Sequence, residues 1–434
     1  MKTLGIGLLG CGTVGRQVAL DLRDQADFLA GQAGACFELK RVAVRDLSVD
    51  RGLSFKEGVL TDDPMSVVTA DDVDIVVELI GGVSLAYDLV VAALSAGKSV
   101  VTANKALLAE RGQELFALAS EKGADLFFEA SVAGAIPIIK ALRESLAGNR
   151  VKQMVGILNG TCNYILTRME DENGDFDPIL KDAMDQGYAE ADPSLDIDGD
   201  DTAHKAMILT ALAFNRFFDQ SDLVVDGIRG MSLSDLQYAA ELGYRIKLIG
   251  VIREEDGEVE LRVHPALVPH ERMLASVSGS FNAVMVDGHL SDTTVFYGRG
   301  AGGGPTASAV LGDLIDAGRN VVTGAAGRIP AIDGSGAVSL RAAADVRVRY
   351  YLRMELMDKP GVFSRISDCL GRHGISISSL LQKDAQANTF VPAIVMTHTA
   401  TEGAFREALQ EIRDMDIVGE EIVSIRVEDF GEEL

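Results

Sequence analysis

The chain has 434 residues, 47% hydrophobic and 24% charged, the mix of an ordinary globular protein with room for two to four domains at roughly 100–200 residues each. A formal net charge of -25 argues against nucleic acid, whose phosphates need a basic footprint, and against an anionic membrane surface. No apolar run approaches the ~20 residues of a membrane span, the start Met1–Leu9 is too short for a signal peptide, and Cys11, Cys36, Cys162 and Cys369 form no CxxC, so a cytoplasmic protein without disulfides or zinc is expected.

Residues 1–145 alternate apolar strand runs with helical patterns. Leu4–Leu9, Leu39–Val44, Asp74–Ile80, Ser99–Thr102 and Ala124–Phe128 read as strands, and Val14–Leu22, Leu85–Ala96 and Ala106–Glu121 as helices. Strands apolar throughout imply a Rossmann-type parallel sheet covered on both faces, a dinucleotide-binding domain. Residues 146–304 mix strand runs (Lys152–Leu158, Glu258–Pro265, Ala283–Val286) with helices over Thr202–Phe217 and Leu233–Ile246, an α+β substrate-binding and dimerisation domain. A helix over Thr306–Ala317 follows, with 305–325 expected to return to the first domain. The Gly/Ala/Ser-rich stretch 326–345 reads as a linker. In 346–434, strand, helix and turn signals run βαββαβ, the ferredoxin-like arrangement.

Gly10-Cys11-Gly12-Thr13-Val14-Gly15 fits GxGxxG between a strand and a helix. The first glycine allows the tight turn, the second admits a pyrophosphate, the third lets helix and strand pack, and the helix N-terminus supplies amide donors. A Gly-rich turn without ligand is the plain alternative. After the second strand, Arg45 falls where a ribose-binding acid is usual, which leans towards the 2′-phosphate of NADP; Asp46 next door keeps NAD open.

Lys105 falls where a parallel strand ends and a helix begins, against the helix dipole, although a solvated lysine is the plain alternative. From Glu190 to Asp201 six carboxylates (Glu190, Asp192, Asp196, Asp198, Asp200, Asp201) crowd before a helix. Asp201 and Lys205 are four apart and share a face. An exposed ion pair is the ordinary outcome, but Ala203, Ala206, Met207, Ile208, Leu209 and their successors make this helix apolar nearly all round, so the pair should be buried. Buried pairs more often mark function than stability. His204 reads as a packed or surface histidine. Asp196-x-Asp198-x-Asp200 opens like an EF-hand loop, but Asp201 stands where its glycine belongs and no Glu closes it, so calcium is not expected.

The stretch with Ala183, Gly187, Tyr188, Ala189, Asp192-Pro193, Asp196-Ile197, Gly199, Asp201 and Lys205 resembles the homoserine dehydrogenase signature. Asn159–Leu166, Asn104-Lys105 and Glu129–Pro137 are similar to other segments of that family. Asp358–Phe363 with Ile375-Ser376-Ile377 resembles an ACT domain, a regulatory fold that binds amino acids. The resemblance covers nearly the whole chain and is to the monofunctional form.

It implies NAD(P)-dependent interconversion of L-aspartate 4-semialdehyde and L-homoserine, in threonine and methionine biosynthesis. Lys205, Lys105 and Asp201 would be catalytic: Lys205 as proton donor, Asp201 orienting it, Lys105 assisting near the nicotinamide. Glu190 and Asp196 would hold the substrate ammonium group, with Gly187 and Thr161 also at the substrate. Gly10, Gly12, Thr13, Val14, Gly15, Arg45, Gly81, Lys105, Gly187 and Gly303 would meet the cofactor. Glu129, Val132, Gly134 and Ile136 would form a sodium site, for which a plain turn is the alternative. Threonine is the expected effector, and an ACT–ACT interface would favour a homodimer or homotetramer. A proton-donating lysine works best with its pKa lowered towards neutrality, and Lys105 beside Lys205 would supply the second cation. Two other readings stay open: another Rossmann oxidoreductase on a small amino-acid-derived aldehyde, and a non-catalytic nucleotide-sensing regulator.

Overall fold

Strand β1 (Lys2–Leu9) is buried from Leu4 onward, as a central parallel strand must be. In the computed structural model, which describes residues 1–382 and 388–430, it begins a six-stranded parallel sheet. Helices α1 (Thr13–Asp24) and α2 (Ala26–Ala33) lead to β2 (Ala35–Ala43), β3 (Leu60–Thr61), α3 (Pro64–Thr69), β4 (Ile75–Glu78), α4 (Ser84–Ser95), β5 (Ser99–Thr102), α5 (Lys105–Lys122) and β6 (Leu126–Phe127). The order β3-β2-β1-β4-β5-β6 reverses between β1 and β4, which opens a crevice beyond their carboxyl ends, where open α/β sheets bind ligands.

The short α6 (Ile138–Lys140) leads to β7 (Val151–Ile157), α7 (Gly160–Glu172), α8 (Phe176–Asp185), α9 (Ser194–Ile197), α10 (Asp200–Phe214), β8 (Val224–Val225) and α11 (Leu233–Glu241). Then come the long hairpin β9 (Tyr244–Glu255) and β10 (Glu258–Pro269), and strands β11 (Phe281–Gly288) and β12 (Asp292–Arg299). Here one expectation is corrected. The helix read over Leu233–Ile246 stops at Glu241; Gly243, at φ 87°, turns the chain, and Tyr244 begins a central strand.

Helix α12 (Gly303–Thr323) lays Ala307, Val310 and Leu314 into the same core as Leu4, Ile6 and Leu8 of β1, and so covers the first sheet. Within the stretch read as a linker, β13 (Ser339–Leu340) pairs with Glu258–Val259 of β10.

Strand β14 (Arg347–Met357), α13 (Val362–Arg372), β15 (Ile377–Gln382), β16 (Phe390–Thr397), β17 (Ala400–Thr401), α14 (Glu402–Arg413) and β18 (Val418–Val427) complete the chain. Their main strands run β18-β14-β16-β15, the ferredoxin-like order expected for an ACT domain. Residues 431–434, which fall within the expected ACT span, lie outside the described residues. This sheet is continuous with the central one: β18 pairs with β10 in parallel (Ala266 with Arg426, Leu267 with Val427), making a single sheet β12-β11-β7-β9-β10-β18-β14-β16-β15. All four cysteines are unbridged. Among the described residues, no helix is long and apolar enough to cross a membrane.

Candidate active site

The glycine-rich turn has the geometry of a phosphate cradle. Gly10 is at φ 93°, and a Cβ there would meet the Leu79 carbonyl at 2.7 Å; one on Gly15 would meet the Gly10 carbonyl at 2.1 Å. Gly12 differs, because a Cβ there would meet nothing within 4 Å: its side is open. Neither α1, capped by Gly12, nor α12, capped by Gly302, carries a side-chain cap, so the first-turn amides of both remain free for an anion. A Cβ on Gly303 would lie 3.1 Å from Thr13, which brings the two helix starts together.

Arg45 is exposed just past the end of β2. The Asp46 carboxylate turns away to the amide and hydroxyl of Ser48, at 2.8 and 2.6 Å, and these bonds hold it below the usual range. Two further cations stand here, Arg16 and Arg51, with Arg16 Nε donating to the Arg51 carbonyl at 2.6 Å. Burial pushes the Cys11 thiol up, against the pull of both guanidiniums.

Glu78, fully buried at the end of β4, organises the neighbouring loop. Its carboxylate accepts from the Ile80 and Gly81 amides at 2.9 and 3.2 Å and from the Thr102 hydroxyl at 2.6 Å. Burial raises its pKa against those three donors. Thr102 Oγ1 also accepts the Asn104 amide, and Asn104 caps α5 while donating Nδ2 to the Gly82 carbonyl at 2.6 Å. Lys105 is the next residue, so its backbone is fixed by a network that starts in β4.

Asp201, 4% exposed, is the centre of the second module. Lys105 Nζ lies 2.8 Å from Oδ1, and Lys205 Nζ donates to Oδ2 at 2.7 Å and to the Leu158 carbonyl at 2.7 Å. Asn159, the N-cap of α7, gives one Nδ2 proton to Asp201 and the other to Asp196, both at 2.7 Å. Burial alone would raise the Asp201 pKa; the two ammonium groups reverse this and hold it far below the carboxylate range. Asp196 keeps a raised pKa, from burial first and from Asp201 second.

The shared carboxylate acts on Lys105 as well. Burial would lower it, but Asp201, with Asp196 and Glu190 behind it, lifts it above the ordinary lysine value. The carboxylate sits between the ammonium groups and outweighs their repulsion.

Glu190 and Gly187 are exposed, on the strand-free run between α8 and α9. Gly187 has φ 77° and open space where a Cβ would be, and Thr161 Oγ1 ties the run to α7 by donating to the Tyr188 carbonyl at 2.8 Å. His204 bonds Gln220 at 3.1 Å. The acidic loop does not converge on a cation: Asp198 takes Arg229, Asp200 takes Gln220 and Asp192 takes the Ser194 amide.

The Glu129 carboxylate accepts the Ile139 and Lys140 amides at 2.8 and 2.7 Å, and burial raises its pKa against those bonds. Ala133 and Gly134 both have positive φ, 56° and 54°, so Val132–Ile136 is an irregular buried turn.

Glu78 and Asn159 are the polar groups that sequence reasoning did not assign to the site. Glu78 was legible only as a charge inside an apolar strand run. Asn159 carried the signal of an N-cap residue before an apolar helix.

A dinucleotide cradle and a buried lysine–carboxylate–lysine cluster, each at the carboxyl edge of the parallel sheet or against it, define a nicotinamide-dependent oxidoreductase. Sequence comparison agrees: the profile "Homoserine dehydrogenase, NAD binding domain" matches residues 10–129, "Homoserine dehydrogenase" matches 137–315 and "ACT domain" matches 350–416. A homoserine dehydrogenase of Neisseria gonorrhoeae is 43% identical, covering 99% of each chain. The crystal structure of one from Thiobacillus denitrificans superimposes with a TM-score of 0.94 at 44% identity, covering 99% of each chain. A hyperthermophilic archaeal homoserine dehydrogenase in complex with NADPH has a TM-score of 0.61 at 27% identity, over 73% of this chain and 97% of that one.

The chain belongs to the homoserine dehydrogenase family, and its reaction is the NAD(P)-dependent interconversion of L-aspartate 4-semialdehyde and L-homoserine. Its ACT domain is consistent with regulation.

Proposed function

We propose that Lys205 moves the proton of this reaction, with Asp201 as its positioning residue and Lys105 as the second cation at the reacting oxygen. The single observation that carries this reading is that both ammonium groups rest on one buried carboxylate. When held by the glycine-rich turn, a reduced nicotinamide would supply the hydride for the aldehyde carbon. Charge then grows on the aldehyde oxygen. Lys205 has three protons; Leu158 and Asp201 take two, which leaves the third for that oxygen. Lys105 has spent only one on Asp201, and its side chain is 40% exposed towards solvent, so it can stabilise the same oxygen. In the oxidative direction a neutral Lys205 amine takes the hydroxyl proton back.

Glu190 and Asp196 bind the substrate ammonium group, with Gly187 and Thr161 beside them. Gly10, Gly12, Thr13, Val14, Gly15, Gly81 and Gly303 meet the dinucleotide, together with Lys105 and Gly187. Exposed Arg45, with Arg16 and Arg51 nearby, favours the 2′-phosphate and so NADP over NAD; the NADPH-bound archaeal relative supports this. Glu129 with the carbonyls of Val132, Gly134 and Ile136 suits a hard monovalent cation such as sodium, one carboxylate and an irregular turn being the right donor chemistry. The chain works in the cytoplasm as a homodimer or homotetramer inhibited by threonine. Its domains are 1–145 with 305–325, 146–304, and 346–434 after a linker at 326–345.

The test is Lys205→Ala, followed at 340 nm with homoserine and each dinucleotide. Turnover should fall by ~10²-fold or more while cofactor affinity stays near native. Near-normal turnover removes Lys205 from the mechanism.

A further inference from the structure

The Lys205 ammonium group rests on two acceptors, and each of them is itself gripped by a buried asparagine. One is the Asp201 carboxylate, 2.7 Å away, which takes a proton from Asn159. The other is the Leu158 carbonyl, also at 2.7 Å, just past the end of β7. That carbonyl accepts a second bond, from Asn282 Nδ2 at 2.9 Å. A carbonyl oxygen has two lone pairs, so its capacity is filled and its direction is held from both sides. Asn282 stands on β11 and is 1% exposed. Its amide has one orientation. Leu158 offers a lone pair, so the NH2 end must face it, and Oδ1 is then buried with no partner among the described residues. A buried acceptor without a donor is costly, and an apolar side chain of the same shape would avoid it. Packing alone does not account for an asparagine here; the bond to the Leu158 carbonyl does.

Backbone is pressed against that amide. A Cβ on Gly300 would fall 2.1 to 2.3 Å from Cγ, Nδ2 and Oδ1 of Asn282. One on Gly160, which follows Asn159 at the start of α7, would meet Oδ1 at 3.4 Å and the Ser280 carbonyl at 2.8 Å. Gly300 lies between the end of β12 and Gly302, the cap of α12. Its φ is not left-handed, so what bars a side chain there is the Asn282 amide and not the backbone conformation. An added methyl would have to displace the amide, because the interior has no slack to absorb it.

We propose that Asn282 is a positioning residue for the proton transfer: by holding the Leu158 carbonyl it aims Lys205, and Gly300 leaves the space that this amide needs. This rests on the reading of Lys205 as the proton carrier. With two protons on fixed acceptors, the ammonium group has one direction left for the third. Releasing the carbonyl lets Lys205 swing about Asp201, and a misplacement on the order of 1 Å can cost ~10²-fold in rate.

The experiment is a kinetic cycle on the full chain, followed at 340 nm with homoserine and saturating dinucleotide, with urea unfolding measured on the same samples. Asn282→Leu keeps the shape of the side chain and removes the donor. It should lower kcat at least about tenfold, with KM for homoserine and Kd for the dinucleotide within about threefold of native. In the Lys205→Ala background the same change should cost no more than about twofold, because the group it aims is gone. Gly300→Ala, which crowds the amide and removes no polar group, should follow the same pattern in both backgrounds, and it carries the comparison if Asn282→Leu does not fold. Native kcat in the Asn282→Leu or Gly300→Ala chain overturns the proposal. So does an equal loss in the native and Lys205→Ala backgrounds with a lowered urea midpoint, which would make Asn282 a packing residue only. In either case a Lys205→Ala chain that is itself slow leaves the reading of Lys205 standing. If Lys205→Ala turns over normally, that reading falls first, and the role of Asn282 with it.

Discussion

Asp201 and Glu428 are both buried carboxylates that bridge two cations, and their difference sets the proposed chemistry against architecture. Asp201 holds Lys105 and Lys205; Glu428, just past the end of β18, holds Arg253 and Arg262 of the central domain at 2.7 and 2.8 Å. The geometry is the same and the cation type is not. Lysine can release a proton; arginine cannot at any physiological pH, but its planar fork fixes orientation. At Glu428, Arg262 is 2% exposed and is also tied to Glu260, so the cluster is closed. At Asp201 the Lys105 side chain stays 40% exposed, so this cluster is open on one side. On the proposed mechanism the carboxylate between lysines serves the reaction, whereas the one between arginines inside the continuous sheet joins two domains.

Exchanging the cation types is the most severe way to break that comparison. Lys205→Arg should cost ~10²–10⁴-fold in turnover, as loss of a general acid does, although the charge is kept. An active Arg variant, assayed at 340 nm, would erase the distinction. Glu428→Gln should do the reverse: it leaves Arg253 and Arg262 without their anion and should cost about 3–5 kcal/mol in urea unfolding, with turnover per folded molecule unchanged.

The pH behaviour sharpens the contrast further. The Asp201 pKa is depressed in the folded chain, so its stabilising contribution is complete above the unfolded value of about 3.9 and is lost only as pH falls through the far lower folded value. The stability gap between the native chain and Asp201→Asn should therefore be constant at neutral pH and close only in strong acid. Asp196 is shifted the other way, so it should set the acid limb of kcat/KM, and Asp196→Asn should remove that limb. The smallest effect belongs to the dinucleotide end: Arg45→Ala should raise KM for NADP about tenfold, one charge-assisted hydrogen bond, and leave NAD unchanged.

Much of the fold is legible because its signals are local. The alternation of apolar runs and helical patterns marks the parallel sheet, and the βαββαβ order marks the ACT domain. The start of strand β9 is hidden in the sequence because Leu236, Ala239, Leu242 and Ile246 continue a helical spacing across Gly243, and because Lys247 looks like a surface residue. In the fold Lys247 is 2% exposed, held by Asn163 at 3.0 Å and the Val277 carbonyl at 2.6 Å, and burial lowers its pKa to about 8. Those partners are 84 and 30 residues away, beyond any local pattern. The site divides the same way. The i,i+4 pair of Asp201 and Lys205 can be read from spacing. That Lys105 joins the same carboxylate, that Asn159 bridges two acids and that Glu78 braces Asn104 through Thr102 are facts of tertiary structure.

The most direct test of the central claim is a double-mutant cycle in kcat with Asp201→Asn, Lys205→Ala and the pair. If Asp201 acts by holding Lys205, the double variant should be no slower than Lys205→Ala alone, within about threefold. Multiplicative losses would mean that the two groups act independently, and the shared carboxylate would then have no place in the proton transfer.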